Sequence, residues 1–240
     1  MPAERQGQRQ TPARGCALDA RILVFGRAPV AGEAKTRLIP ALGAQGAARL
    51  HRRLLEDTVG RLCAAGLARV ELWVTPDADH PCFVGLAARW PLDLHIQEGQ
   101  DLGARLAHAA RAALTRAAAV ILVGSDCPEL SPDYLGAALA ALGQQDAVLG
   151  PALDGGYVLL GLRRVDDRLF ERMPWGSDRV AELTGQRLDA LGWRWSRLEC
   201  LRDIGRPEDL VYLPAALGPP PPLGDAPAEP SEPGIPAYPG

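Results

Sequence analysis

Arg21-Ile22-Leu23-Val24-Phe25-Gly26-Arg27-Ala28-Pro29-Val30-Ala31-Gly32-Glu33-Ala34-Lys35-Thr36-Arg37-Leu38 is the stretch on which the fold turns. A short apolar run halted by Gly26 reads as a buried first strand. The segment after it is basic and glycine-containing, and it leaves the carboxyl end of that strand. Open α/β sheets bind their ligands in such loops.

Outward from this stretch the chain alternates between two periods. Leu50, Leu54, Val59 and Leu62 fall on one helical face, Val70 to Val74 reads as a second strand, and Leu92 to Ile96 as a third. Asp101 is placed to cap a helix whose buried side carries Leu102, Leu106, Ala110 and Leu114. Val120 to Val123 is a fully apolar strand. Ser131-Pro132-Asp133 then gives an N-cap, a first-turn proline and a first-turn acid, and Gly143 stops that helix. Ala147 to Leu149 and Tyr157 to Leu162 read as strands. Ser177-Asp178 opens a last helix, with Val180, Leu183, Leu188 and Leu191 inside and Gly192 at its end. Such alternation of buried strands and helices predicts a mostly parallel sheet in a three-layer α/β domain.

The ends read differently. Residues 1–18 are polar and aperiodic, and 10 of the 22 prolines lie from Pro214 onward. The expected organisation is a disordered arm over 1–18, one domain over 19–213 and a proline-rich disordered tail over 214–240. The first residues lack the apolar core of a signal peptide, and the run Ala117 to Val123 is too short to span a bilayer. A cytoplasmic protein is expected. A net charge of −3 argues against a nucleic-acid or membrane-surface partner. Five scattered cysteines without a Cys-x-x-Cys pair argue against a disulfide framework and a zinc site.

Lys35 is the only lysine among 26 basic residues. A chain that otherwise uses arginine keeps lysine where a compact ammonium is wanted, as in phosphate-binding loops. Arg27, Lys35 and Arg37 can neutralise a di- or triphosphate, and the loop's glycines, Gly32 among them, let backbone N–H groups approach it. The loop has neither the Walker A nor the dinucleotide glycine spacing.

Four further loops carry candidate chemistry. Asp126, in Gly124-Ser125-Asp126-Cys127-Pro128, is placed to hold Mg²⁺ or Mn²⁺ at a strand end, and its removal is expected to leave the fold stable. Cys127 reads as a small core residue and Glu129 as solvent-facing. Asp154 can accept from a hydroxyl or bind the metal, and Gly155 and Gly156 permit close backbone approach; a plain hairpin turn is the competing reading. Trp175 can stack on a base or sugar, or anchor a helix. Asp203 is a candidate second metal ligand. His51 and His108 fall within helices and are expected on the surface.

In order, residues 25–38, Gln97-Glu98-Gly99-Gln100-Asp101-Leu102-Gly103-Ala104-Arg105, Gly124 to Pro128, Gly150 to Tyr157 and Pro174-Trp175 form a recognisable series. Over about residues 20–212 the chain resembles the bacterial glycosyltransferase A-fold transferases associated with radical-SAM and selenodomain proteins, often labelled arsenosugar-biosynthesis glycosyltransferases. That family is similar in turn to molybdenum-cofactor and phospholactate guanylyltransferases, which share the Lys-Thr-Arg-Leu and Gly-x-Asp-x-Pro loops. The resemblance implies a Rossmann-like nucleotide-diphospho-sugar transferase fold with a mostly parallel mixed sheet. It implies phosphate contacts from Lys35 and Arg37, with Thr36 between them, a metal at Asp126, and donor or acceptor contacts near Asp154, Gly155 and Gly156. Its partners would be a nucleotide sugar or nucleoside triphosphate and a small-molecule acceptor. Two positions depart from the family pattern: Arg27 replaces a common lysine, and Gly205 replaces the second acid of a closing Asp-x-Asp. Glycosyl transfer is the first expectation, nucleotidylyl transfer with release of pyrophosphate the second, and a non-catalytic nucleotide-binding protein the third.

Overall fold

The computed structural model describes residues 18–218. In chain order the elements are β1 (Ala20–Arg27), α1 (Ile39–Ala65), β2 (Arg69–Thr75), α2 (Pro81–Arg89), β3 (Asp93–Ile96), α3 (Leu102–Leu114), β4 (Ala119–Val123), α4 (Pro132–Leu142), β5 (Ala147–Pro151), β6 (Tyr157–Leu162), α5 (Val180–Ala190) and β7 (Trp195–Arg197). Short 3-10 turns cover Thr36–Leu38, Asp167–Leu169, Pro207–Tyr212 and Ala215–Leu217.

The seven strands form one sheet in the order β3-β2-β1-β4-β6-β5-β7. β1 pairs in parallel with β2 and β4, β2 with β3, and β5 with β7. Only β6 runs against its neighbours β4 and β5. The cause is the link 152–156, which is far too short for the crossover that a parallel pair requires. The link 152–156 therefore turns as a hairpin between β5 and β6. Its consequence is that the hairpin tip meets the ends of β1 and β4 at one edge of the sheet. From the far end of β6, the segment 163–179 returns as a strap to the edge carrying the loops.

Alternation along the strands divides the core. Ile22 and Val24 face a cluster with Leu55, Val59 and Leu62 of α1, Phe83 of α2 and Leu135 of α4. Leu23 faces the other side, with Leu106 and Ala110 of α3 and Leu188 of α5. A third, smaller cluster joins Leu38, Leu42, Leu50 and Leu54 to Ile204 and Leu217. α1 is interrupted at Gly43, whose φ of 67° and ψ of 164° leave helical geometry.

Asp101 caps α3 through Oδ1 to the Ala104 N–H at 2.8 Å, and Ser131 caps α4 through the Tyr134 N–H at 3.1 Å. Elsewhere the pattern reading needs correction. Leu102 is 42% exposed, so the buried side of α3 begins at Gly103 and Leu106. α5 starts at Val180, not at Ser177, because the Gly155 carbonyl accepts from the Ala181 N–H at 2.9 Å and supplies the first-turn partner. α2 and β7 went unread. The first is capped by His80, whose Nδ1 accepts from the Cys82 N–H at 3.2 Å, and the second is only three residues long. The folded unit also runs past the boundary expected at 213, since Leu217 is 8% exposed within the third cluster. The arm 1–17 and the tail from 219 lie outside the described residues, while Leu18 packs on the core. Among the described residues no helix is long and apolar enough to cross a membrane, and Cys63, Cys82, Cys127 and Cys200 are free.

Candidate functional site

At the carboxyl edge of β1 the chain enters the basic loop. Gly32 takes a left-handed φ of 87°, and Lys35, unusually for a residue with a Cβ, takes φ 51°. This conformation lets the loop tighten into the Thr36–Leu38 turn, with Leu38 fully buried as its anchor. Arg27 pairs with Glu33 at 3.1 Å, both on the surface. Gly32, Thr36 and Arg37 are exposed, and Arg37 Nη2 lies 3.4 Å from the Gly176 carbonyl.

Lys35 turns inward instead. Its side chain is 6% exposed, its Nζ lies 2.8 Å from Asp126 Oδ2, and it also donates to the Ile204 carbonyl. The Ile204 N–H in turn donates to the Asp126 carbonyl at 2.8 Å. One ammonium thus stitches the loop after β1 to the loop after β4 and to the closing segment Asp203-Ile204-Gly205. Burial pushes the Asp126 carboxyl up, but Lys35 and His51 outweigh it and hold the group well below the usual carboxylate range.

His51 is the functional candidate that sequence reasoning missed. It sits on α1 but is buried, 6% exposed, because α1 runs beneath the loops and not over the surface. Its Nε2 is 2.9 Å from the Arg27 carbonyl. A carbonyl only accepts, so Nε2 donates to it, and Nδ1 is the ring nitrogen left toward the site. Among the described residues, this Nδ1 has no hydrogen-bond partner, and it faces Asp126 Oδ1 at 3.8 Å, while Ser125 Oγ donates to the same oxygen at 3.2 Å. The amphipathic pattern of α1 held no signal for this role; only the spatial neighbour reveals it. His108 is partly exposed and packs edge-on to Trp73.

Asp154 occupies the hairpin tip, where its Oδ1 accepts from the Gly156 N–H at 2.8 Å. Gly155 needs its left-handed φ of 89°, and a Cβ there would lie 2.0 Å from the Asp178 carbonyl oxygen. Gly155 therefore serves a close approach of hairpin and strap, whereas a Cβ at Gly156 would meet only Asp154 Oδ1, at 3.0 Å. Asp203 lies in the same electrostatic neighbourhood. Burial, then Asp154 and Asp126, raise its carboxyl to about 6 against the pull of Lys35. Asp154 and Asp203 line a polar cavity of about 160 Å³ together with Arg202, Arg206, Glu208 and Asp209. Gly205 donates its N–H to Asp209 Oδ2 at 3.0 Å, and a Cβ on it would lie 3.4 Å from Asp203 Oδ2.

Trp175 lies on the strap and meets Tyr157 edge to face, with ring centroids 6.2 Å apart. It borders an apolar pocket and not the acidic group. Glu129 is exposed and accepts from the Arg202 N–H at 2.8 Å, and Cys127 is buried, its thiol pushed up to about 12 by burial.

A separate cluster of Glu71, Asp93 and His95 lies toward the amino ends of the strands, away from these loops. Glu71 already accepts from Trp73 Nε1 at 3.1 Å and Arg116 Nη2 at 2.9 Å, and Asp93 pairs with Arg69 at 3.1 Å. Arginines supply its counter-charge, so it does not call for a metal.

An α/β fold with a mostly parallel mixed sheet, and with loops from three strands gathered at one edge, is the fold of nucleotide-diphospho-sugar transferases and cytidylyltransferases. The chain belongs to the family described as uncharacterized proteins conserved in bacteria (DUF2064), which matches residues 58–177. It is 31% identical to a Desulfovibrio desulfuricans G20 protein with the provisional description nucleotide-diphospho-sugar transferase, over 78% of this chain and 82% of that one, with a TM-score of 0.70. At 11% identity it shares its fold with 4-diphosphocytidyl-2C-methyl-D-erythritol synthase from Anaerococcus prevotii, over 84% and 99% of the two chains, with a TM-score of 0.55. It also shares it, at 11% identity, with glucosyl-3-phosphoglycerate synthase from Mycobacterium tuberculosis in complex with Mn²⁺, UDP and glucosyl-3-phosphoglycerate, over 81% and 75%, with a TM-score of 0.51. No curated protein matches the chain.

Proposed function

We propose that the chain transfers a glycosyl group from a nucleotide-activated donor to a small-molecule acceptor with the help of Mg²⁺ or Mn²⁺. The observation that carries this reading is the meeting of Asp126, paired with Lys35 at 2.8 Å, and Asp203, whose carboxyl feels Asp154, Lys35 and Asp126 and shares a cavity with Asp154. Burial is the main cause of the raised Asp203 carboxyl, and the neighbouring charges of Asp154 and Asp126 add to it. A divalent ion suits such a hard-oxygen set, with Asp126 and Asp203 as the residues to hold it. Once bound, it would supply counter-charge for a departing diphosphate.

The chain's own groups divide the remaining work. Arg37 and Arg27, with Thr36 and the backbone at Gly32, bind donor phosphates from the exposed side of the loop. Lys35 fixes Asp126 and supplies positive charge from beneath. Gly156 admits the donor close to the backbone, and Asp154 orients the acceptor hydroxyl and takes its proton. The acceptor oxygen bonds to the anomeric carbon, the bond from that carbon to the diphosphate oxygen breaks, and the diphosphate leaves with the electron pair. The 31%-identical Desulfovibrio protein supports a sugar-nucleotide donor. The narrower arsenosugar-biosynthesis subtype rests on the motifs alone.

The test is a screen of UDP-glucose, GDP-mannose, CTP and GTP with Mn²⁺, reading thermal stabilisation and then the released product. Stabilisation by a sugar nucleotide, followed by nucleoside diphosphate, supports the proposal. Pyrophosphate release would convert the reading to nucleotidylyl transfer. Absence of stabilisation by any nucleotide would leave a different protein function altogether.

A further inference from the structure

Beside the acidic group lies a second cavity, of about 120 Å³, and its lining is of another kind. Phe25, Leu102, Leu106, Val123, Tyr157 and Trp175 shape it between the ends of β1 and β4, the first turn of α3 and the strap. Gly124 also borders it, two residues before Asp126, and Tyr157 follows Gly156 directly. The cavity is thus built from the same loops as the candidate site. Leu102, 42% exposed, is an apolar side chain left toward solvent there.

The polarity of the lining restricts the occupant. Tyr157 and Trp175 bring its only polar side-chain groups. Tyr157 Oη is buried and has no hydrogen-bond partner among the described residues, an arrangement that is unfavourable unless a partner arrives. Burial pushes this phenol up, so it stays a neutral donor. A sugar ring or nucleobase would bring several polar groups against a lining whose side chains offer two, a poor match for their hydrogen-bonding needs. An apolar ring has no such difficulty. A dry cavity of about 150 Å³ holds benzene, so this one suits about six ring atoms.

We propose that this pocket seats the acceptor, and that the acceptor is a small molecule with an uncharged, benzene-sized ring bearing one hydrogen-bonding substituent that Tyr157 meets. The assignment rests on the transferase reading for the word acceptor; the pocket's preference for an apolar ring does not. It also moves Trp175 from a nucleotide contact to a wall of the acceptor site.

The experiment follows the Trp175 indole N–H by two-dimensional NMR, its signal identified with Trp175→Phe, while phenol, toluene, methyl glucoside and UDP are titrated separately. Phenol and toluene should shift it saturably and methyl glucoside should not. Tyr157→Phe should weaken phenol about 5- to 10-fold and leave toluene unchanged. Gly124→Leu should block both, since a Cβ at Gly124 meets open space and the variant is expected to fold. Lack of a saturable response to phenol and toluene overturns the pocket assignment, as does competition by UDP or methyl glucoside, which would give the cavity to the donor. Calorimetry with UDP-glucose and Mn²⁺ separates the two readings. Nucleotide binding without a phenol response sinks the pocket alone, and a phenol response without nucleotide binding sinks the transferase alone.

Discussion

Asp203→Asn should make the protein more stable at neutral pH. In the fold the Asp203 carboxyl is raised from its ordinary 3.8 to about 6, so the folded state holds a proton more tightly than the unfolded chain. The sign follows directly: this group favours folding below about pH 4, and the contribution is lost as pH rises through about 6. At pH 7 the full difference corresponds to about 3 kcal/mol. The side chain is only partly buried, and solvent screening leaves about 1–3 kcal/mol. For a domain of this size that is a rise of roughly 3–9 °C in Tm. The assay is thermal unfolding of wild type and Asp203→Asn at pH 7 and pH 4 without divalent ions, repeated at pH 7 with Mn²⁺. The gain should appear at pH 7, vanish at pH 4, and shrink with Mn²⁺, which should stabilise only the wild type. Equal Tm values at pH 7, or a gain that persists at pH 4, would refute the electrostatic account of this group.

Three other substitutions and one truncation probe the site and its frame. Asp126→Asn should destabilise by roughly 2–4 kcal/mol, against the expectation from sequence that it is harmless, because it strips the buried Lys35 ammonium of its partner; denaturant unfolding at pH 7 decides it. Gly205→Asp should lower stability by about 1 kcal/mol without metal, by setting a further carboxylate near Asp203, yet tighten Mn²⁺ binding in a calorimetric titration. A chain ended after residue 213 should unfold several degrees below one ended after 218, since the shorter one loses buried Leu217; equal melting would show that Leu217 contributes nothing. Gly155→Ala should cost at least 2 kcal/mol, because its φ and its contact with Asp178 both exclude a Cβ; an unchanged denaturation midpoint would contradict the geometry.

The fold was legible wherever burial imposed a period. Val120 to Val123 lies between two helical layers and therefore reads as an unbroken apolar run. Ser131 and Asp101 could be read because capping is a local bargain between a side chain and the next turn. α2 was hidden because histidine is an unusual cap, and the start of α5 because its partner is a carbonyl from a hairpin 26 residues earlier. At the site, position along the strands brought Lys35 and Asp126 into one reading, but not the inward turn of Lys35, which depends on Ile204 far along the chain. His51 needed two neighbours from two other segments. Pattern carries the frame, and the pairings that tune its charges arise between segments that sequence order keeps apart.

The reversal of β6 reaches further than the topology of the sheet. Because that strand ends at the edge away from the loops, the chain must climb back roughly 20 Å before α5 can begin. The strap that makes this climb is moored along the way by Arg111 to Asp167 at 2.7 Å and by Arg187 to the Leu169 carbonyl at 3.0 Å. Trp175 and Gly176 are thus delivered to the pocket and to Arg37 by a tether fastened to α3 and α5. Its free length sets how deeply the tryptophan sits. Sequence changes at those moorings can therefore retune the shape of the pocket without altering any residue that lines it.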